Sequence, residues 1–276
     1  MNAQQQNIKP EVHYSCHFET KRAGEQFVSQ HILSYQISGI LKFNDGDKEY
    51  IFKKGDFRFS KRNRLIKFEK TPEENAPFRC ISIPLDQELL RKISIHKNIA
   101  PTQCDKGDAV VKLKSHPLLI SFFDSLRQYE DNKEALNNSL VFIKMKEAIL
   151  LLLELAPKLA NSLFDFSEPG KIDLEEFMNR HYHFNVKMSR FAYLSGRSLA
   201  TFKRDFQKVF NVTPSKWLLS KRLSEAHYLL KEKGKTPSEV YIELGFENLS
   251  HFSFAFKKMY GISPSQLRPF IHSISA

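Results

Sequence analysis

Residues 194–215, LSGRSLATFKRDFQKVFNVTPS, and residues 244–265, LGFENLSHFSFAFKKMYGISPS, are two copies of one pattern set fifty residues apart. Under that shift Leu194, Leu199, Phe202, Phe206, Lys208, Pro214 and Ser215 fall on Leu244, Leu249, Phe252, Phe256, Lys258, Pro264 and Ser265. Val212 and Thr213 fall on Ile262 and Ser263. A fixed period can signal a helical solenoid, but only two copies exist and a tight turn sits inside each. Two copies of one helical unit in a basic chain point to two reading heads for DNA.

The second copy spells out its own boundaries. Thr236 is a helix cap, Pro237 takes the first helical position and Glu239 closes a capping box. The helix runs to about Leu244, where Gly245 supplies the left-handed turn that ends it. Phe246 pins the turn into the core and Asn248 caps the next helix. Spacing of three and four residues places Leu249, Phe252, Phe256, Met259 and Tyr260 on one face. Ser250, His251, Ser253, Phe254, Lys257 and Lys258 fall on the other. A short helix, a glycine turn and a second helix with a polar, basic outer face make a helix-turn-helix.

The first copy follows the same logic with a short helix over about 187–194 that lacks a good cap. Gly196 turns the chain and Ser198 caps the next helix. Leu199, Phe202, Phe206, Val209 and Phe210 face inward, while Ala200, Thr201, Lys203, Arg204, Gln207 and Lys208 face outward. No acidic partner for Arg204 is evident. The ordinary reading of both apolar stripes is core. For the outer faces the ordinary reading is solvated surface, and the repeat and the charge weigh against it. Pro214 to about Leu230 reads as a joining helix of roughly 25 Å at 1.5 Å per residue, somewhat less than the DNA repeat of about 34 Å. A spacer of that size sets two reading helices in successive major-groove segments on one face of a duplex.

Residues 172–270 resemble the DNA-binding domain of the AraC family of bacterial transcription regulators. AYLS and GRSLATFKRDFQKVFNVTPSKWL in the first unit, and ELGFENLSHFSFAFKKMYGISPSQLR in the second, carry the family pattern. The resemblance implies two helix-turn-helix units reading direct or inverted promoter repeats. By position it places base reading on Ala200, Thr201, Lys203 and Arg204, and on Ser250, His251, Ser253 and Phe254. Phe254 stands where many members have arginine, so this unit touches thymine methyls or mainly grips backbone. The resemblance also implies activation through RNA polymerase.

Composition agrees. The chain of 276 residues carries a formal charge of +11. Residues 170–276 hold 17 Lys+Arg and 9 Asp+Glu, a net of +8, and the rest of the chain only +3. Basicity sits with the reading helices, as phosphate attraction requires. No long basic amphipathic helix suggests a membrane surface. The longest apolar run, Ala148 to Leu153, is too short to span a bilayer. MNAQQQNIKPEV lacks the apolar core of a signal peptide. Cys16, Cys80 and Cys104 are odd in number and widely spaced, as for reduced thiols in a bacterial cytoplasm.

Residues up to about 84 read mainly as β structure, whose several short strands with turns between them suggest a small barrel or sandwich. Strands are expected within Phe27–Ser38 and over Lys48–Lys53, Asp56–Ser60, Arg64–Lys70 and Phe78–Pro84, with a hairpin turn at Asn44-Asp45-Gly46-Asp47. SGILKFNDGDKEYIFKKGDFRFSKRN resembles the cupin-like sensor domain common in the same family. A cupin metal site needs a His-x-His pair and a nearby Glu converging on one ion. Residues 35–84 contain no histidine; His13, His17 and His31 lack ligand spacing, and His181 and His183 fall on different faces of a helix. No metal or cofactor is expected.

Helices follow over Pro117–Tyr129 and Asn138–Leu155. The second has a broad stripe of Leu140, Ile143, Met145, Ala148, Ile149, Leu152 and Leu155, readable as core or as a dimer seam. Phe166-Ser167-Glu168-Pro169-Gly170 reads as a linker. The expected fold class is α+β: a cupin-like β-barrel with flanking helices (1–168), for sensing and dimerisation, and an all-α domain with two helix-turn-helix units (169–276).

The function expected is a sequence-specific transcription regulator, an activator acting as a cytoplasmic homodimer on double-stranded promoter DNA. An unidentified small-molecule or protein effector controls it through the N-terminal domain. The competing reading is a cupin-type isomerase or dioxygenase fused to a DNA-binding domain, against which the missing histidines argue. A DNA-repair regulator with a methyl-accepting cysteine needs a cysteine cluster, and Cys16 stands alone.

Overall fold

The computed structural model describes residues 11–99, 107–131 and 137–267, with backbone alone for 21–26. Cys104 lies outside the described residues.

The β-rich half consists of β1 (His13–His17), β2 (Lys21–Val28), β3 (His31–Ser38), β4 (Ile40–Asn44), β5 (Glu49–Phe52), β6 (Phe57–Ser60), β7 (Arg64–Thr71), β8 (Phe78–Leu85) and β9 (Val110–Leu113). They form two antiparallel sheets, one ordered β1-β8-β3-β6-β9 and the other β2-β7-β4-β5. Of the two expected forms, barrel or sandwich, the strands take the second: no strand ladder among the described residues joins the two sheets into a barrel. Gly39 lets the chain pass from one sheet to the other. Its φ is 78°, and a Cβ there would meet Thr71 O at 2.6 Å. The hairpin turn is as expected, with Asn44 Oδ1 accepting from Gly46 N at 2.8 Å and Asp45 Oδ1 from Lys48 N at 2.8 Å.

Alternation along the strands sorts two cores. Leu33, Phe57, Phe59, Ile81 and Ile83 face a helical layer of α1 (Gln87–Lys97), α2 (Pro117–Arg127) and α3 (Asn138–Leu155). Phe52, Phe78, Cys80 and Val110 lie between the sheets. The sequence reading named neither α1 nor β9. The apolar stripe of α1 is short, although Asp86 caps it by accepting from Leu89 N at 2.8 Å.

The stripe on α3 needs correction. Val141, Met145, Ala148, Ile149 and Leu152 are buried, Leu140 and Leu155 are half-buried, and Ile143 is exposed. The sheet covers only one side of the helix. Phe142, Ile143 and Leu150 therefore remain on a solvent-facing apolar strip.

After α4 (Ala160–Leu163), residues 165–173 run without helix or strand. Arg62 ties this segment down, Nη2 donating to Asp165 O at 2.9 Å and Ser167 O at 2.8 Å. Six helices follow: α5 (Leu174–His181), α6 (Met188–Leu194), α7 (Leu199–Phe210), α8 (Pro214–Lys231), α9 (Pro237–Glu243) and α10 (Leu249–Tyr260). They build two cores. One gathers Phe177, Met178, Phe184, Phe191, Phe202 and Phe206. The other gathers Leu230, Val240, Leu244, Phe246, Phe252 and Phe256. α8 serves both, with Leu218 in the first core and Leu223, Ala226 and Leu229 in the second. The His-x-His pair does not share a helix as expected, because α5 stops at His181.

Candidate nucleic-acid interface

Each helix-turn-helix is fixed by local chemistry before tertiary packing acts. In the second unit Thr236 Oγ1 accepts from Glu239 N at 3.4 Å, and Glu239 Oε2 accepts from Thr236 N at 2.8 Å. Gly245 has φ 71°, Phe246 is buried, and Asn248 Oδ1 accepts from His251 N at 2.8 Å. In the first unit α6 begins at an N-cap without a side-chain bond, as expected. Ser198 Oγ accepts from Thr201 N at 3.2 Å and donates to Thr201 Oγ1 at 3.0 Å. The turn of the second unit is one residue longer, spanning Leu244–Asn248 against Ser195–Ser198.

α7 and α10 each bury a narrow stripe. Phe202 and Phe206 are inaccessible in α7, as are Phe252 and Phe256 in α10. Ala200, Lys203, Arg204, Gln207 and Lys208 are exposed and Thr201 half-exposed. Ser250, His251, Phe254, Lys257 and Lys258 are exposed and Ser253 half-exposed, while the caps Ser198 and Asn248 are also exposed. The expected outer faces therefore exist on both helices.

The inner faces are smaller than expected. Spacing puts Leu199 and Val209 of α7, and Leu249 and Met259 of α10, on the inner faces, but all four are exposed. A two-helix unit covers only the middle turns of its second helix, so the stripe's end residues project past the contact. Leu199 and Leu249 consequently join the outer surfaces at equivalent places. No signal in residue type marks them, because leucine reads as core.

Arg204 has a neighbour that the spacing did not reveal: Asp205 Oδ1 lies 3.8 Å from its Nε. The stronger partner of Asp205 is Arg197, whose Nε donates to Oδ2 at 3.1 Å and holds the carboxyl below its usual range. Arg197 also donates from Nη1 to Ser195 O at 2.6 Å and Ile172 O at 3.1 Å. Asp205 thus belongs to the turn, and Arg204 stays 68% exposed. Arg222 plays the corresponding part at the junction of the two units. It donates to Tyr182 O at 2.7 Å, Gly245 O at 2.8 Å and Phe184 O at 2.8 Å. Three carbonyls from two segments converge on one guanidinium, which fixes α8 against the second unit's turn.

The β-rich half touches the first helix of both units. Phe27 packs edge-on to Tyr193 of α6 at 6.0 Å, and the Arg190 guanidinium lies 4.4 Å from the Phe27 ring centroid. On β7, Lys67 Nζ donates to Glu243 O, the last residue of α9, at 2.6 Å. Asp47 in the β4–β5 turn pairs with Arg180 at 3.1 Å. Between these contacts burial, with the Lys67 charge, pushes the His183 imidazole down to about 3, so it is neutral at physiological pH. Among the described residues no group of three or more His, Cys, Asp or Glu could hold a metal ion. No helix among them is long and apolar enough to cross a membrane.

Comparison with known proteins agrees with this geometry in both halves. Residues 192–269 match the family model described as a helix-turn-helix domain. Residues 31–162 match the model described as the ExsA N-terminal regulatory domain. The chain belongs to the AraC family of transcription regulators. This regulator is 24% identical over 260 residues to the HTH-type transcriptional regulator ExsA of Pseudomonas aeruginosa, covering 92% of this chain and 91% of that one. It is 34% identical over 95 residues to the virulence regulon transcriptional activator VirF of Yersinia enterocolitica, 34% of this chain and 35% of that protein. A solved structure of an apo ToxT variant from Vibrio cholerae aligns over 95% of the regulator and 97% of its own chain. That alignment has 14% identity and a TM-score of 0.46. The regulator is a DNA-binding protein with a regulatory N-terminal domain.

Proposed function

We propose that the regulator binds promoter DNA sequence-specifically through the outer faces of α7 and α10 and activates transcription from it in the cytoplasm. The observation that carries this is the pair of exposed, basic helix faces, each on its own core and joined by the shared α8. Eighteen residues of α8 at 1.5 Å each give about 27 Å, within reach of one turn of duplex. Activation is supported by the likeness to VirF, a transcriptional activator, and brings RNA polymerase as a partner. The contacts of Lys67 with α9 and of Phe27 with α6 give an effector on the β-rich half a route to both units. The alternating sheets, though not a closed barrel, suit the cupin-like sensor role. The division falls at 168/169, with the first part also dimerising.

Ala200, Thr201, Lys203 and Arg204, with Ser250, His251, Ser253 and Phe254, face the bases. Ser198, Asn248, Lys208, Lys257 and Lys258 face phosphates. Arg204→Ala should weaken specific binding by about 1–3 kcal/mol and relax preference at one base pair, as loss of a bidentate guanine contact does. Binding-site selection with the variant checks this; an unchanged preference at every position sinks the assignment.

Lys208 and Lys258 occupy equivalent places late in the two helices. Replacing either by alanine should weaken all DNA sequences alike and lower the salt slope by roughly one ion. Titrations of cognate and scrambled duplexes at several salt concentrations read this out. A loss confined to cognate DNA contradicts it.

Residues 169–276 supply nearly all of two cores, with Leu65 of β7 joining the first, and they have their own caps and most of the net charge. As a fragment they should fold as a monomer and bind one half-site with reduced affinity. The dimer seam is the outer strip of α3, not its buried side: Ile149 and Leu152 are inaccessible, so charges there would damage the fold instead. Ile143→Glu with Leu150→Glu should turn the full chain into a folded monomer. Sedimentation decides both points, and a dimeric fragment or an unchanged double variant refutes the seam.

A further inference from the structure

The space between the two sheets holds a charge that ordinary packing does not explain. The inner faces of stacked sheets normally interdigitate apolar side chains. Here Ser34, Gln36, Ser38, Arg58 and Ser60 are all buried on the five-stranded sheet. Arg58 on β6 is 4% exposed. No carboxylate among the described residues pairs with it, although arginine is almost never so deeply buried without one. Its Nη1 donates to Gln36 Oε1 at 3.3 Å, and its Nη2 to Cys80 Sγ at 3.0 Å. Its Nε has no hydrogen-bond partner. The guanidinium carbon lies 5.4 Å from the Phe43 ring centroid and 5.5 Å from that of Phe52, both on the facing sheet.

The surroundings hold this group in place without neutralising it. The Gln36 amide is fully buried, and its Nε2 donates to Ser38 O at 2.7 Å and Arg79 O at 3.2 Å. With both donors engaged, its oxygen is directed at Arg58 and fixes one side of the guanidinium. Among the described residues the other edge, Nε with Nη2, meets only a thiol, and sulfur is a weak acceptor. That edge is the fork that matches a carboxylate with two parallel hydrogen bonds. An apolar side chain of similar length would fill the place without the cost of desolvating a cation.

We propose that Arg58 is the anchor of a binding site for a small organic carboxylate between the two sheets. Nε and Nη2 take its two oxygens, the Cys80 thiol gives way, and Phe43 and Phe52 flank its apolar body. The ligand balances the buried charge and bridges the two sheets. β7 of the second sheet carries Lys67, which holds α9, so occupancy of this site is coupled to the second reading unit. The site presupposes that the β-rich half responds to an effector; DNA binding by residues 169–276 does not depend on it.

The test uses the full-length protein and its melting temperature. Benzoate, phenylacetate and hexanoate are the probes, with benzyl alcohol, 1-hexanol and inorganic phosphate as controls. A ligand that binds only the folded chain raises the melting temperature. The three carboxylates should include at least one that raises it, while the alcohols and phosphate leave it unchanged. Arg58→Met should fold at least as stably as the native chain and lose the response. Arg58→Lys keeps the charge without the fork and should weaken the dissociation constant about tenfold or more; it serves if the methionine variant fails to fold. The proposal is overturned by no response to any carboxylate, by an equal response in either variant, or by an equal response to phosphate or the alcohols. The fragment's affinity for DNA, measured in parallel, reports separately on the DNA-binding reading.

Discussion

Replacing Phe252 by alanine should destabilise the second reading unit by about 3–5 kcal/mol, while the same change at Phe254 should cost no more than about 0.5 kcal/mol. The two residues are two apart in α10 and have the same chemistry. Phe252 is fully buried and packs against Phe246 at 5.0 Å and Phe256 at 5.7 Å. Removing its ring leaves a cavity that the small core cannot close. Phe254 is 71% exposed and supports nothing in the fold. Its loss should appear in DNA affinity instead, because an exposed ring on the outer face has only a binding partner to serve. Urea denaturation of both variants, with duplex titrations of the folded one, separates the outcomes. Equal loss of stability at the two positions would make the outer face of α10 structural.

The second large effect is expected at Gly196. Its φ of 68° lies in the left-handed region, and a Cβ there would meet Gly170 C at 2.2 Å, Gly170 O at 2.3 Å and Lys171 N at 2.5 Å. These are backbone atoms of the segment that joins the two halves, so no side-chain rotation relieves the clash. Gly196→Ala should cost about 2–4 kcal/mol, from left-handed strain together with displacement of that segment. Gly55 is the control. Its φ is 89°, but nothing lies within 4 Å of an added Cβ, so Gly55→Ala should cost only about 1–2 kcal/mol. Thermal melts measure the difference, and limited proteolysis shows whether residues 165–173 are released. Equal costs at both glycines would mean that the contact with Gly170 does not constrain the turn.

The helix-turn-helix units were legible because their signals are local. Thr236 with Glu239, Asn248 and Ser198 act within three residues of themselves, and each does in the structure what its type and spacing imply. The repeat then identified the units as a pair, and the outer residues of α7 and α10 followed from helical period alone. The Asn44–Asp47 turn was legible for the same reason, since its side chains bond to backbone two or three residues on.

The misses have a common cause. Leu199, Val209, Leu249 and Met259 carry core-type side chains at core spacing, but whether a partner covers them depends on helices elsewhere in the chain. Ile143 fails as a core residue for the same reason, being 57% exposed on a helix covered from one side. β9 has four residues and gains its identity only by pairing with β6. Whether the described strands close into a barrel or stay as two sheets depends on long-range ladders, which no local pattern encodes.

By itself, then, the sequence determined the two reading units, their caps, their outer faces and the concentration of basic charge. These rest on hydrogen bonds and periodicities that span a few residues. The tertiary structure alone decided the two-sheet arrangement, the exposed strip of α3, the hold of Arg222 on three carbonyls and the seating of Lys67 on α9. It also decided the burial of Arg58 without a carboxylate partner among the described residues. Each of these joins residues far apart in the chain, and their meeting is set by the packing of whole elements.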